Sequence, residues 1–396
     1  MASTFVAPLD PPRRLLMGSG PSNAEVRVLQ ALAATPLPAD DPAFEPVLHE
    51  LADRLRLVFQ ASTDSAALAV PGASRAGLEA VLASVIEPGD RVMVGVYGHF
   101  GELLCTLAAR HGAQVERVEA EWGTPVAANL LARRMREQGR QPPSLVAIVH
   151  ADTSTGIVQP LEEIGAACRE TGALLLVDAV LSIGGCEVAV DGWQIDAAVG
   201  GLQKCLGGPP GLALVTLSRR YLDALVVRHS PPQTAYLDLA QALHTWAAPH
   251  ARTEMSTPML MAAHEALGMV LDEALPARWR RHQRASQALR RGLDAMGLQR
   301  FGDAEHSVPM ITLVQVPDGV DEAGVREQLL IEHGIEIMAA FGPLRGRVWR
   351  IGTMGTNAAL PSVLAVLGGL EAVLASRGFA VVRGAAVDAA REAWAS

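Results

Sequence analysis

The chain has 396 residues, 49% of them apolar and 19% charged, with a formal net charge of −9. That is enough chain to bury one large core or two unequal ones, and too apolar for a disordered protein. The acidic balance argues against a polyanion partner; the one basic run with an aromatic in it, Arg278-Trp279-Arg280-Arg281, reads as the solvated face of a long helix.

From about Ala66 to Val215, short apolar runs alternate with helical stretches. Ala67-Leu68-Ala69-Val70 leads into a helix predicted from Ser74 to Ile86. Arg91-Val92-Met93-Val94 precedes one from Phe100 to His111. Leu145-Val146-Ala147-Ile148-Val149 precedes a loop and a helix from Leu161 to Thr171, and Leu174-Leu175-Leu176-Val177 ends at Asp178. Continuous apolar strands separated by helices predict a parallel sheet covered on both faces. Ligands of such sheets sit beyond the carboxyl ends of the strands. One long helical region follows, from Pro258 to Met296. Strands at Val308–Val314 and Arg347–Ile351, with helices at Gly324–His333 and Leu360–Ala375, then predict a separate α+β unit. Residues before Ser22 are expected to pack with that unit or across the active-site mouth.

The cysteines Cys105, Cys168, Cys186 and Cys205 lack CxxC spacing, which speaks against a zinc site or redox pair and fits reduced thiols. Met1 to Pro12 has no apolar leader core, no run is long enough to span a bilayer, and Glu392-Ala393-Trp394-Ala395-Ser396 is no peroxisomal address. The expectation is a soluble cytoplasmic protein without a nucleic-acid, membrane or metal partner.

Lys204 is the only lysine; every other basic side chain among the Lys and Arg is arginine. A guanidinium stays charged near neutral pH, whereas a desolvated amine can lose its proton and attack a carbonyl. Scarcity of lysine is also what biased codon usage produces. The position is less easily accidental, because Gly200-Gly201-Leu202-Gln203-Lys204-Cys205-Leu206-Gly207-Gly208-Pro209-Pro210-Gly211 is a poor place for a solubilising charge. Asp178, at the end of the most apolar strand, reads as a helix cap, a metal ligand or an acceptor for a buried cation. A lysine and an aspartate at nearby strand ends suit pyridoxal phosphate, the aspartate keeping the ring nitrogen protonated. Gly72-Ala73-Ser74-Arg75 opens a helix and favours an anion, or is an ordinary turn with Ser74 as N-cap. Phe100 is placed to stack on a ring, or is a core aromatic. Asp152-Thr153-Ser154-Thr155-Gly156 offers hydroxyls near the same crevice. Arg350, in Val348-Trp349-Arg350-Ile351-Gly352, pairs with a structural acid or forks onto a substrate carboxylate.

From Gly18-Ser19-Gly20-Pro21 to about Ala375 the chain resembles the class V aminotransferases of fold type I, in the alanine–glyoxylate and serine–glyoxylate group. Ser154-Thr155-Gly156, Val177-Asp178, Gln203-Lys204 with Pro209-Pro210-Gly211, and Trp349-Arg350-Ile351-Gly352 carry the resemblance. Ser74-Arg75-Ala76-Gly77, Tyr97-Gly98-His99-Phe100-Gly101, Glu121-Trp122-Gly123-Thr124, Gly184-Gly185-Cys186-Glu187-Val188 and Gly352-Thr353-Met354-Gly355 resemble the ureidoglycine–glyoxylate branch of purine catabolism. The resemblance implies an α/β fold: a large domain with a mostly parallel seven-stranded sheet between helices, and a small α+β C-terminal domain. The implied division is 1–22 at the active-site mouth, 23–290 and 291–396. It makes Lys204 the Schiff-base lysine and Asp178 the ring-nitrogen partner. Phe100 would stack on the ring, Thr153 would reach its phenolic side, and Ala73, Ser74, Arg75 and Gln203 would cradle the phosphate. Thr253 would reach the phosphate of a neighbouring subunit, implying a homodimer with shared sites. Arg350 would hold the α-carboxylate, with Ser19, Gly20 and His250 at the substrate. Two places where the branch carries amide side chains fall here on Ala39 and His250, and the usual His-His pair is Ala251-Arg252; both departures bear on the amino donor. The implied reaction is transfer of an amino group from ureidoglycine, alanine or serine to glyoxylate or pyruvate. A lyase or desulfurase of the same fold, or a non-catalytic ligand binder, ranks below it.

Overall fold

The computed structural model describes residues 9–137, 141–248 and 255–395. Its central sheet has seven strands in the spatial order Ala66–Pro71, Leu212–Leu217, Ala197–Gly201, Leu174–Asp178, Leu145–Val149, Arg91–Val96 and Gln114–Glu119. Neighbours run parallel except around Leu212–Leu217, which is antiparallel to both strands beside it. Leu145–Val149, Ala197–Gly201 and Leu212–Leu217 are buried along their whole length, as strands covered on both faces must be. The edge strand Gln114–Glu119 is half exposed, and its polar sequence, Gln-Val-Glu-Arg-Val-Glu, hides it from a search for apolar runs. The fold is the mostly parallel α/β architecture expected.

A second core forms around a three-stranded antiparallel sheet of Ile311–Gln315, Val348–Gly352 and Met338–Ala339. Helices Leu275–Ala295, Glu322–Glu332, Leu360–Ser376 and Ala385–Ala395 surround it, and Trp349, Leu289, Leu367 and Leu370 are fully buried there. Leu15–Leu16 pairs in parallel with Ile335–Glu336, and Met17 joins the same core. The chain then crosses to the other core, where Ser22 Oγ donates to the carbonyl of Lys204 at 2.7 Å. Among the described residues no helix is long and apolar enough to cross a membrane, and no cluster of three or more potential metal ligands occurs.

Two expectations need correction. The helical region predicted from Pro258 to Met296 is two helices, Thr257–Glu273 and Leu275–Ala295, broken at Ala274 with φ +65° and ψ 134°. Pro276, in the first turn of the second helix, is tolerated there because it has no N–H to leave unpaired. The run Arg278-Trp279-Arg280-Arg281 is not a solvated face. Arg278 is 7% exposed and, like Arg281, hydrogen-bonds to backbone carbonyls of other segments. The break turns the start of the second helix inward, and helical periodicity carries no sign of that.

Ala274 is exposed and holds a backbone conformation that costs a residue with a Cβ on the order of 1 kcal/mol or more. Ala274→Gly is therefore expected to raise the unfolding free energy by about 1 kcal/mol. An unchanged or lowered urea midpoint would show that the break is unstrained.

Candidate active site

Five strands of the sheet end toward one cavity of about 390 Å³. The turn after Ala66–Pro71 brings Ala73, Ser74 and Arg75, and the start of helix His99–Arg110 brings Phe100. Thr153 follows Leu145–Val149, Asp178 closes Leu174–Asp178, and Gln203 and Lys204 follow Ala197–Gly201; all line the cavity. A larger cavity of about 550 Å³, beside Tyr236 and Trp246, holds neither a lysine nor a buried carboxylate, so volume alone does not locate the chemistry.

Lys204 and Asp178 are both shifted toward their neutral forms. Burial, assisted by the positive charge of Arg350, pushes the Lys204 amine down to about 8. Burial pushes the Asp178 carboxyl up to about 7, against the Val180 N–H that donates to it at 3.0 Å; nearby Asp152 raises it further. The amine donates instead to the Ser19 carbonyl. That carbonyl belongs to the Gly18-Ser19-Gly20 strap, laid along the second core: Gly18 N–H donates to Glu336 at 3.0 Å and Gly352 N–H to the Met17 carbonyl at 2.7 Å. Gly20 has φ +105°, and a Cβ there would fall 2.2 Å from the lysine nitrogen. Only glycine lets the strap lie so close to the amine.

The start of helix Ser74–Val85 is open for an anion. Ser74 is its first residue, not its cap; Ala73 caps it without a side-chain hydrogen bond. Ser74 Oγ accepts from Gln203 Nε2 at 3.0 Å, and the buried Gln203 Oε1 has no partner. Arg75 is exposed beside the cavity. An uncapped helix start next to an arginine attracts phosphate, and the unpartnered amide end can be exchanged for N–H donors by a flip. With a buried amine of lowered pKa and a buried carboxyl that has no ion-pair partner among the described residues, these residues fit a phosphorylated pyridine aldehyde.

Arg350 is 3% exposed, and no described carboxylate lies within ion-pairing distance of it. Its Nε donates to the Ala339 carbonyl at 2.8 Å and Nη1 to the Thr153 carbonyl at 3.2 Å. Burial pushes it down to about 10, opposed by the charges of Asp152 and Glu336. The ring of Phe341 lies 4.3 Å from its guanidinium carbon, and His99 stacks on that ring at 4.5 Å between centroids. The structural-acid alternative for this arginine thus has no close partner among the described residues.

Sequence reasoning placed Asp152 and Ser154 in a polar loop, and Ser154 in a motif of the resemblance, without giving either a role at the site. Both are fully buried, and Ser154 donates to Asp152 through N–H and Oγ, each at 2.6 Å. Ser154 Oγ accepts the His99 N–H at 2.8 Å, and Asp152 accepts that of Phe100 at 3.4 Å. Two side chains from the segment after the neighbouring strand thus cap the helix that carries Phe100, whose own Gly98 cannot. His99 was named only within a motif, and Glu336 and Phe341 were missed; an acid or aromatic on a short strand or turn has no spacing that marks it. Ala39 lies half-buried in a turn and does not line the cavity. His250 and Thr253 lie outside the described residues. The thiols offer no nucleophile: burial raises Cys105 to about 11, Cys168 and Cys205 to about 12, and Cys186 further.

The family model described as "Aminotransferase class-V" matches residues 44–344. The (S)-ureidoglycine–glyoxylate transaminase of Bacillus subtilis (strain 168) is 42% identical, over 97% of this chain and 96% of that protein. An alanine–glyoxylate aminotransferase of Drosophila melanogaster is 35% identical, over 93% and 95%. The crystal structure of the ureidoglycine–glyoxylate aminotransferase from Bacillus subtilis matches at a TM-score of 0.95 and 44% identity, over 98% of this chain and all of that one. The chain belongs to the class-V aminotransferases, and is a fold type I, pyridoxal-phosphate-dependent transaminase acting on amino-acid and keto-acid substrates.

Proposed function

We propose that the chain transfers an amino group from (S)-ureidoglycine to glyoxylate, within the cytoplasm and as a homodimer. Alanine or serine as donor, and pyruvate as acceptor, form the second reading, favoured by the alanine–glyoxylate relative. One observation carries the reaction class: a buried amine with a lowered pKa lines the strand-end cavity, and a buried guanidinium without a close described acid reaches Thr153 at that cavity's wall. The donor rests on the likeness to the Bacillus subtilis transaminase. We divide the chain at 1–22, 23–290 and 291–396, with the second core taking over along helix Leu275–Ala295.

In this reading Ala73, Ser74, Arg75 and Gln203 hold the cofactor's phosphate, joined by Thr253 of the partner subunit. Phe100 faces the ring, Thr153 its hydroxyl and Asp178 its nitrogen. Bound pyridoxal phosphate supplies an aldehyde carbon that amines add to and a conjugated ring that accepts electrons. Arg350 forks onto the substrate carboxylate, worth about 3 kcal/mol for a charged pair of hydrogen bonds. Ser19, Gly20 and His250 close the substrate side. Lys204 Nζ, neutral in an appreciable fraction of molecules near pH 8, takes the α-proton and later returns it. Leu78, Leu103, Val149 and Leu181 wall the cavity and keep water from competing. Release of the keto product before glyoxylate enters makes the kinetics ping-pong.

Three outcomes are expected. Borohydride treatment of the holoenzyme should fix the cofactor on Lys204, read by peptide mass, and Lys204→Arg should fold yet turn over no donor. Normal turnover by that variant would remove the lysine from the chemistry. Arg350→Ala should raise KM for amino and keto acids roughly 100-fold, the equivalent of about 3 kcal/mol, with little change in Tm; a drop in Tm alone would make it a structural residue. A panel of (S)-ureidoglycine, alanine and serine against glyoxylate decides the donor.

Asp178 gives a pH signature. Its folded pKa lies above the ordinary 3.8, so the unfolded chain loses its proton first as pH rises. Stability of the cofactor-free protein therefore falls between about pH 4 and 7 and stays lowered above that. Asp178→Asn should leave stability near pH 4 unchanged and raise it at pH 8 by a few kcal/mol at most. Equal denaturant midpoints at pH 8 would mean that the carboxylate is not penalised.

A further inference from the structure

The arginine run at the start of helix Leu275–Ala295 is absorbed by nothing above, yet its polar atoms reach both halves of the site. Glu273, at the end of the preceding helix, accepts Arg278 Nη1 at 2.6 Å and Arg281 Nε at 2.6 Å. From that pair the two guanidiniums diverge. Arg278 Nη2 donates at 2.5 Å to the carbonyl of Cys205, the residue after Lys204. Arg281 Nη1 donates to the carbonyls of Gly355 at 2.8 Å and Ala358 at 3.1 Å, in the turn that follows the strand bearing Arg350. His282 closes the figure. Its Nδ1–H donates to the Arg278 carbonyl at 2.8 Å, leaving Nε2 to accept the Gly355 N–H at 3.1 Å. Burial holds this imidazole down to about 3, so it stays neutral, and the two arginines hold Glu273 down to about 2 against its burial. The charges are therefore fixed across the working pH range.

Transamination needs the α-carbon of a carboxylate-bound substrate within reach of the lysine nitrogen. The distance between those two anchors matters more than the place of either. We propose that Glu273, Arg278 and Arg281 set that distance: they tie the peptide beside Lys204 to the turn beyond Arg350, and so act as positioning residues for proton transfer. The proposal rests on the roles given above to Lys204 and Arg350. A tie that only held the fold together could run between any two buried loops. This one runs between the segments bearing the two groups that must grip the same substrate, and Glu273 is shared by both arms.

Glu273→Gln keeps the shape and weakens both arms, and Arg281→Gln cuts only the arm to Gly355 and Ala358. Each holoenzyme is compared with the unaltered one for cofactor absorbance, for kcat and KM with glyoxylate, and for the kinetic isotope effect of an α-deuterated donor. Cofactor content and KM are expected to stay within about threefold, while kcat falls roughly 10- to 100-fold and the isotope effect rises, as proton transfer becomes limiting. Arg281→Lys, which keeps the charge and one donor, should recover part of the loss. If Glu273→Gln does not fold, Arg281→Gln carries the same comparison alone. Unchanged kcat and isotope effect, with only a lower Tm, would overturn the proposal and leave the cluster as structural. If the unaltered enzyme turned over none of the donors, the roles of Lys204 and Arg350 would fall first, and the proposal with them.

Discussion

A lysine and an aspartate sit in one cavity and do not pair with each other. Each is desolvated, each is displaced toward its neutral form, and the amine turns instead to a backbone carbonyl. A close ion pair would stabilise both charges and leave an inert salt bridge. Kept apart, the amine stays close to losing its proton and the carboxylate is left to seek a cation. The surrounding structure maintains that separation: the sheet sends the two groups out on neighbouring strands, and the strap from the N-terminal segment occupies the lysine.

The strap also makes the site a property of both cores. Ser19, whose carbonyl receives the amine, directly follows Met17 and Gly18, which are bonded to Gly352 and Glu336 of the second core, while Arg350 reaches back to Thr153 at the end of a large-sheet strand. Neither core alone presents a complete set of groups. Phe341 links them again, lying between Arg350 of its own core and His99 of the other.

Much of this was legible in the chain. The apolar runs located Ala66–Pro71, Arg91–Val96, Leu145–Val149 and Leu174–Asp178, because a strand buried on both faces needs nothing but apolar residues. The ends of those strands then pointed to Asp178, Thr153 and Phe100, and the solitary lysine pointed to itself by its chemistry. Contacts between segments distant in sequence were hidden. The cap that Asp152 and Ser154 place on helix His99–Arg110 spans some fifty residues of chain, and no local pattern encodes it. The arginine run misled for the same reason. Composition says that three arginines belong in water, and only the break at Ala274 turns two of them toward buried carbonyls.

One reversal of direction in the large sheet bears on how the lysine can move. Because Leu212–Leu217 runs back along Ala197–Gly201, with Ala213 opposite Gly201, the segment between them is a hairpin rather than a crossover. Both of its stems are stitched into the same ladder. The lysine end of its tip is held by backbone hydrogen bonds as well, Gly207 N–H to the Lys204 carbonyl at 3.2 Å and Ser22 N–H to the Gln203 carbonyl at 2.8 Å, so it does not hang free as a lid does. The readiest travel for the nitrogen is then rotation about the bonds of its own aliphatic tether.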